Sequence, residues 1–315
     1  MNPVVRFLAS GDSFYAGTAL LAVTVIASEC LYLAWVRRTK NLSALLALMM
    51  IVLSCPPFPW STDALFLAIF TLWFVASSNA QLVAKFPKLH LLAAVVLISQ
   101  LVWLSAEEFS HRALPVLTGV PADQVLVIGD SLSSGIDSRI KSWPLLMQES
   151  TGIKVHNLAL AGAVTAEAKT MAELITANDH VVIIEIGSND LLSGIPAGTF
   201  GNNLEAILSK VSAPGRTVVM FELPAVLPQY TKYGQIQRRL TKQYGVFMIP
   251  KRFLIGIIGG PGATTDGLHL SDSGAHQMAM LVTRVLAPVL RRTTPHAQIY
   301  CSGELEMFTP AMLSC

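Results

Sequence analysis

Residues 124–132 read QVLVIGDSL, an apolar run that ends in a glycine, an aspartate and a serine. A short apolar run bounded by turn residues is typical of a strand buried in a parallel sheet. We therefore predict a strand over 124–128 and a sharp turn at Gly129, since glycine adopts backbone conformations that other residues avoid. Ligands bind at the carboxyl ends of parallel strands, so Ser131 is a candidate for chemistry.

The chain downstream of this turn alternates between short apolar runs and amphipathic runs. The apolar runs predict four further strands, at 153–158, 181–186, 217–221 and 246–249. The amphipathic runs predict five helices, at 139–150, 165–177, 199–212, 231–244 and 272–291. Strands that alternate with helices form right-handed βαβ units and a parallel sheet with both faces covered. The predicted fold class is therefore α/β, a flavodoxin-like three-layer α/β/α domain over 124–291.

Three more polar or glycine clusters occupy corresponding places in this pattern. Residues 157–162 read NLALAG after the second strand, and 187–190 read GSND after the third. Residues 266–269 read DGLH just before the last helix. Because parallel strands end at the same edge of the sheet, we expect all of these clusters to converge there.

The residue types in these clusters match the needs of nucleophilic catalysis. A serine hydroxyl such as that of Ser131 is a weak nucleophile until a base takes its proton, and His269 can do this near neutral pH. Asp266 lies three residues before the histidine and can fix its tautomer. A tetrahedral intermediate also needs donors for its oxyanion, which the side-chain amide of Asn189 and the backbone N–H groups of Gly162 and Ser131 can supply.

The four clusters together resemble the SGNH (GDSL-type) hydrolases, and most closely their lysophospholipase or thioesterase I-like branch. The matching blocks are Gly129–Leu132, Gly162, Gly187–Asp190 and Asp266–His269. The resemblance implies a Ser131–His269–Asp266 triad, with Gly162 and Asn189 as oxyanion donors beside the Ser131 N–H. It implies acyl-ester hydrolysis without a metal or an organic cofactor. One departure is Leu270, which stands where many members have proline.

Two aspartates need a separate interpretation. Asp130 is expected to support the turn through hydrogen bonds rather than to act as a catalyst. The stretch Gly11–Phe14 reads GDSF and nearly repeats the first block, but no strand pattern precedes it. We interpret this copy as an ordinary helix start.

The N-terminal third has a different composition from the rest. The whole chain is 52% hydrophobic and only 13% charged, whereas soluble domains are typically about 25% charged. Runs of about 20 apolar residues can cross a hydrocarbon core of about 30 Å. We predict four membrane spans within a transmembrane region over 1–105, at 14–36, 42–55, 64–84 and 89–105. The run at 42–55 is short for a span.

The basic residues predict an orientation for these spans. The loop at 37–40 carries three basic residues and the loop at 85–90 carries two, whereas the loop at 56–63 has none. Basic loops face the cytoplasm. The protein is therefore expected in the plasma (inner) membrane as a multi-pass protein, with the catalytic domain extracytoplasmic. If the short run were re-entrant, the two basic loops would fall on opposite sides.

Several smaller features remain open at this level. Glu29 lies inside the first span and marks either a functional site or a hydrogen bond within the bundle, to Asn79, Gln81 or Gln100. A linker is expected over 106–123 and a tail over 292–315. Cys301 and Cys315 in that tail either form a disulfide, which would add about 3 kcal/mol, or stay as free thiols.

The predicted function is that of a membrane-anchored serine esterase with an acyl ester of a lipid or of a lipid-linked glycan as substrate. The bilayer is the other expected partner. A net charge of +2 and the lack of a basic stripe argue against nucleic acid. Two alternatives remain: acyl transfer by the same triad, and a catalytically silent membrane sensor.

Overall fold

The computed structural model describes residues 1–30, 34–137, 139–224 and 227–291. The chain divides into two compact units. The first consists of Met1–Ala113, Glu222–Arg239 and Pro250–Gly256, and the second of Leu114–Phe221, Leu240–Ile249 and the chain from Ile257 onward. Cys301 and Cys315 lie outside the described residues, so the disulfide remains a prediction.

The first unit begins with six helices. They are α1 (Pro3–Ala9), α2 (Asp12–Cys30), α3 (Ala34–Leu53), α4 (Trp60–Ser78), α5 (Ala80–Lys85) and α6 (Pro87–Phe109). Their apolar faces form a shared core that includes Phe14, Leu21, Trp73 and Leu97. Asn79 separates α4 from α5, because its side chain accepts the N–H groups of Gln81 and Leu82 and so starts a new helix.

Three of these helices, α2, α4 and α6, are long and apolar enough to cross a membrane. The sequence predicted four spans. The run at 42–55 lies in α3, whose apolar part, Thr39–Leu53, is shorter than the other three. The run at 64–84 is not one helix but two, and the run at 14–36 includes residues 31–33, which lie outside the described part.

Glu29 has different partners from those that the sequence suggested. Its Oε2 lies 3.3 Å from Nδ1 of His90, and its Oε1 accepts a hydrogen bond of 3.4 Å from Nε1 of Trp73. Asn79 instead caps α5, and both amide atoms of Gln100 are buried without a hydrogen-bond partner among the described residues. The sequence could not select the partner because helix packing, rather than polarity, determines which side chains meet.

The second unit contains a five-stranded parallel sheet. The strands are β1 (Gln124–Gly129), β2 (Lys154–Asn157), β3 (Val181–Glu185), β4 (Thr217–Phe221) and β5 (Phe247–Ile249), in the order β2-β1-β3-β4-β5. The remaining helices in chain order are α7 (Ser131–Ser134), α8 (Trp143–Thr151), α9 (Thr165–Glu173), α10 (Ser188–Leu192), α11 (Ala197–Val211), α12 (Thr231–Tyr244), α13 (Lys251–Ile258) and α14 (Asp272–Leu286).

The sheet order and the helix packing confirm the predicted three-layer fold. The order 2-1-3-4-5 is that of flavodoxin-like sheets. Helix α8 packs against α14, and α9 packs against α11. Right-handed crossovers place these two pairs on opposite faces of the sheet. All five predicted strands and all five predicted helices are present, while the short helices α7, α10 and α13 were not predicted.

Two segments predicted to lie in the catalytic domain belong to the first unit instead. The guanidinium of Arg238 binds both oxygens of Glu108, at 2.6 and 3.0 Å, and its Nε donates to Glu222 at 2.8 Å. Nζ of Lys251 donates to the carbonyl oxygens of Ser54 and Cys55. The nearly buried ion pairs of Arg238 hold 222–239 within the helical unit, and the hydrogen bonds of Lys251 hold 250–256 there.

Candidate active site

The first strand ends at Gly129, where crowding, rather than the unusual backbone conformation that the sequence suggested, favours glycine. A Cβ atom on Gly129 would lie 2.8 Å from Cβ of Ser133 and 3.0 Å from the carbonyl oxygen of Glu185, closer than side chains pack. The chain can therefore pass close to β3 at this point, and the N–H of Asp130 donates to the Glu185 carbonyl at 3.2 Å. Helix α7 starts at the next residue, Ser131, whose side chain is half-buried.

Asp130 connects the first block to the third. Its carboxylate is buried, and Oδ1 accepts the N–H of Leu132 at 3.0 Å. Its Oδ2 accepts the hydroxyl of Ser188 and, at 3.4 Å, the side-chain amide of Asn189. The turn that carries Ser131 is thus fixed to the turn that carries the predicted oxyanion donor.

Glu185 is a buried carboxyl group directly behind this turn, and sequence reasoning missed it. Its Oε2 accepts the hydroxyl of Ser133 at 2.9 Å, and Ser133 in turn accepts Nε1 of Trp143 at 3.2 Å. Burial, together with the neighbouring Asp130, raises the pKa of Glu185 well above its usual range. Burial also raises the pKa of Asp130, although hydrogen bonds from Ser188 and Leu132 oppose this shift. An acidic residue that ends the apolar strand VVIIE was the available signal.

The DGLH loop holds His269 against Asp266. The carboxylate Oδ1 accepts the backbone N–H groups of Leu268 and His269 at 2.9 and 2.8 Å, and Oδ2 lies 2.6 Å from Nδ1 of His269. Hydrogen bonds from the His269 N–H, the imidazole and the Leu268 N–H hold the pKa of Asp266 well below its usual range. With Nδ1 directed at a carboxylate, Nε2 is the ring atom left to act as a base.

Ser131 and His269 line the same small depression in the second unit, although they are far apart in sequence. The walls also include Ile136, Lys141 and Trp143. Among the described residues, no hydrogen bond joins the Ser131 hydroxyl to the imidazole. Such contacts are often long in structures without substrate and shorten when substrate binds.

The two remaining predicted donors lie on neighbouring loops. Nδ2 of Asn189 donates to the carbonyl of Ala163 at 2.9 Å, which fixes the amide next to the loop that carries Gly162. Gly162 has a φ of +78°, with no atom within 4 Å of where a Cβ would be. The positive φ, and not crowding, is therefore what favours glycine here.

Comparison with known proteins identifies the family to which the second unit is similar. Residues 127–277 match the sequence model of the GDSL-like Lipase/Acylhydrolase family. An arylesterase of Vibrio mimicus is 31% identical over 179 residues, which are 52% of this chain and 88% of that protein. Esterase TesA of Pseudomonas aeruginosa is 29% identical over 193 residues, 56% of this chain and 95% of that protein.

A crystal structure of TesA gives a similar alignment. It superimposes with a TM-score of 0.47 and 25% sequence identity, over 53% of this chain and 99% of that chain. The family match begins inside β1 and ends inside α14, so helices α1–α6 lie outside it.

Proposed function

The chain belongs to the GDSL-like Lipase/Acylhydrolase family, and we propose that it hydrolyses acyl esters through a triad of Ser131, His269 and Asp266. The family membership makes it a carboxylic-ester hydrolase. The observation that carries the residue assignment is the 2.6 Å contact between Nδ1 of His269 and Oδ2 of Asp266, in a depression that Ser131 also lines.

Each residue then has a defined step. His269 takes the proton of the Ser131 hydroxyl as Oγ attacks the ester carbonyl, and the N–H groups of Gly162 and Ser131 together with the Asn189 amide stabilise the oxyanion. The protonated imidazole gives its proton to the departing alcohol. The acyl group stays on Ser131 as an acyl-enzyme. His269 then takes a proton from water as the water oxygen attacks the acyl carbonyl. It returns this proton to Oγ of Ser131 as the bond between Oγ and the acyl carbon breaks and the acid is released. Asp266 stabilises the imidazolium in both half-reactions.

We further propose that α2, α4 and α6, with the shorter helix α3, anchor the enzyme in the membrane. Their length and composition support this. The basic residues predicted to lie in loops are in or beside helices: 37–40 belong to the start of α3, and Lys85 and Lys88 flank the junction of α5 and α6. They favour a cytoplasmic location for these helix ends and an extracytoplasmic location for the hydrolase. An active site tethered to the outer face suits an acyl ester of a lipid or of a lipid-linked glycan.

Hydrolysis of p-nitrophenyl esters, from acetate to palmitate, tests the proposed activity. The detergent-purified full chain is compared with its Ser131→Ala variant. Turnover that depends on chain length and disappears in the variant supports the proposal and separates short-acyl from long-acyl substrates. Turnover at wild-type rates in the variant would contradict it. Addition of an acceptor alcohol distinguishes hydrolysis from acyl transfer, because a transferase forms the new ester.

A further inference from the structure

Asp190, the last residue of the Gly187–Asp190 block, is fully buried and takes no part in the steps above. Both of its oxygens bind one residue. Oδ2 accepts the N–H of Thr165 at 2.8 Å, and Oδ1 accepts the hydroxyl of the same threonine. Two hydrogen bonds to the same residue fix its position in two directions, so this is a firm attachment.

Thr165 is the first residue of α9, and the loop just before it carries Gly162. On its amino-terminal side the loop is fixed to β1, because the N–H of Leu160 donates to the carbonyl of Gly129 at 3.1 Å. On its carboxyl-terminal side it is fixed by Asp190. Gly162 therefore lies between two points of attachment, only one of which belongs to the sheet.

The second attachment comes from the same block as the other predicted oxyanion donor. Asn189 binds the carbonyl of Ala163 at 2.9 Å, and its neighbour Asp190 binds Thr165. Two consecutive side chains thus hold the loop on either side of Val164. These contacts fix the position of the Gly162 N–H relative to the Asn189 amide.

We propose that Asp190 is a positioning residue for the oxyanion hole, which it sets by holding Thr165 and so fixing the Gly162 N–H relative to the Asn189 amide. This inference rests on the proposed function. It assigns to Asp190 no contact with substrate. Its effect is on the stability of the tetrahedral state, where a displacement of a donor by about 1 Å costs about 100-fold in rate.

Asp179 supplies a matched control. It is buried, and its Oδ2 accepts both the N–H and the hydroxyl of Thr176, each at 2.7 Å. Asp179 precedes β3, whereas Asp190 follows it, so the two carboxylates make the same kind of threonine contact at opposite ends of one strand. Its Oδ1 also accepts a hydrogen bond from Nε2 of Gln124 at 2.6 Å. Asp179→Asn therefore disturbs at least as many hydrogen bonds as Asp190→Asn does, and it does so away from the active site.

The experiment compares Asp190→Asn with Asp179→Asn in the full chain. For each variant, kcat and KM are measured with a p-nitrophenyl ester, together with the inhibition constant of phenylboronic acid, which forms a tetrahedral adduct on the serine. Asp190→Asn is expected to lower kcat by about 10- to 100-fold with KM within about twofold. Its affinity for the boronate should fall by a similar factor. Asp179→Asn should keep both values while losing a comparable amount of thermal stability.

Variants of Thr165 test the same contact from the other side, and they serve if Asp190→Asn does not fold. Thr165→Val removes the hydroxyl and keeps the N–H, so it should show a smaller loss of kcat and boronate affinity. Thr165→Ser keeps both donors and should remain close to wild type.

Two results would overturn the inference. One is wild-type boronate affinity in both Asp190→Asn and Thr165→Val, and the other is equal losses of kcat in Asp190→Asn and Asp179→Asn. If the wild-type enzyme is active, either result contradicts only the role proposed for Asp190, and the proposed function stands. A wild-type chain with no turnover and no reaction at Ser131 would instead contradict the proposed function on which the inference rests.

Discussion

The tripeptide Gly-Asp-Ser occurs twice, at 11–13 and at 129–131, and a helix begins at or directly after the aspartate in each copy. In the first copy, Asp12 pairs with Arg112 at 2.8 Å, and the Ser13 hydroxyl is buried without a hydrogen-bond partner among the described residues. In the second copy, Asp130 is buried under several donors, and Ser131 faces the same depression as His269.

The difference shows that the tripeptide by itself does not specify a nucleophile. What distinguishes the second copy comes from distant parts of the chain: the strand before it, the Ser188–Asn189 turn beside it and the loop that carries His269. The first copy has the same three residues but serves to start a long apolar helix, α2. The role that we propose for Ser131 therefore depends on the assembled sheet edge.

The largest expected effect separates the two serines directly. Ser131→Ala should reduce kcat/KM by about 10⁴-fold or more, because the nucleophile is lost. Ser13→Ala should stay within about twofold of wild type and should not lower thermal stability, since its buried hydroxyl makes no hydrogen bond that would be lost. Both are measured by p-nitrophenyl ester hydrolysis and thermal unfolding. Equal losses in the two variants would contradict the assignment.

The histidine can be tested with a matched pair as well. His269 contacts Asp266 at 2.6 Å, while His276 lies 3.5 Å from Asp272 on the exposed side of α14. His269→Gln should lower kcat by about 10⁴-fold, and Asp266→Asn by about 10²- to 10⁴-fold. His276→Gln should have no effect on kcat. An active His269→Gln variant would show that the base lies elsewhere.

The sequence alone predicted most of the secondary structure of the second unit, and the site that it proposed stays a prediction. The five strands followed from apolar runs, and the four blocks followed from their positions at strand ends. The division of the run at 64–84 was missed because the local N-cap at Asn79 lies inside a continuous apolar pattern. The partners of Glu29 and the place of 222–239 in the first unit were not predictable. Each depends on which side chains meet across helices, as Arg238 and Glu108 do, and single-chain patterns carry no record of such contacts.

Substitutions of the two aspartates, Asp130 and Asp12, should differ less in their effect on kcat than substitutions of the two serines. Asp130→Asn replaces one carboxylate oxygen, which accepts hydrogen bonds, by an NH₂ group opposite the Leu132 N–H or the Ser188 hydroxyl. The variant should lose about 1–3 kcal/mol of stability. Its kcat should fall about 10-fold. Asp12→Asn weakens a partly exposed ion pair and should cost at most about 1 kcal/mol, with kcat unchanged. Chemical denaturation and steady-state kinetics measure both. A larger kinetic effect at Asp12 would reverse the comparison.

Among the substitutions in and behind the second copy, the smallest kinetic effect is expected at Glu185. Its raised pKa means that the folded state keeps the proton after the unfolded chain has lost it. Wild-type stability from this group is therefore present at pH below about 4.3 and declines as the pH rises. Glu185→Gln mimics the protonated form, so kcat should stay within about threefold. The unfolding temperature of Glu185→Gln minus that of wild type should increase from pH 4 to pH 7. A decrease of this difference would show that Glu185 is ionised.

The most direct test is to identify the serine that reacts with a fluorophosphonate. The detergent-purified chain is labelled, digested and mapped by mass spectrometry, with His269→Gln as a parallel sample. The account predicts one adduct, on the peptide that contains Ser131, and a strongly reduced adduct in the variant. An adduct on Ser13 or on another serine, or equal labelling of Ser131 without His269, would contradict it.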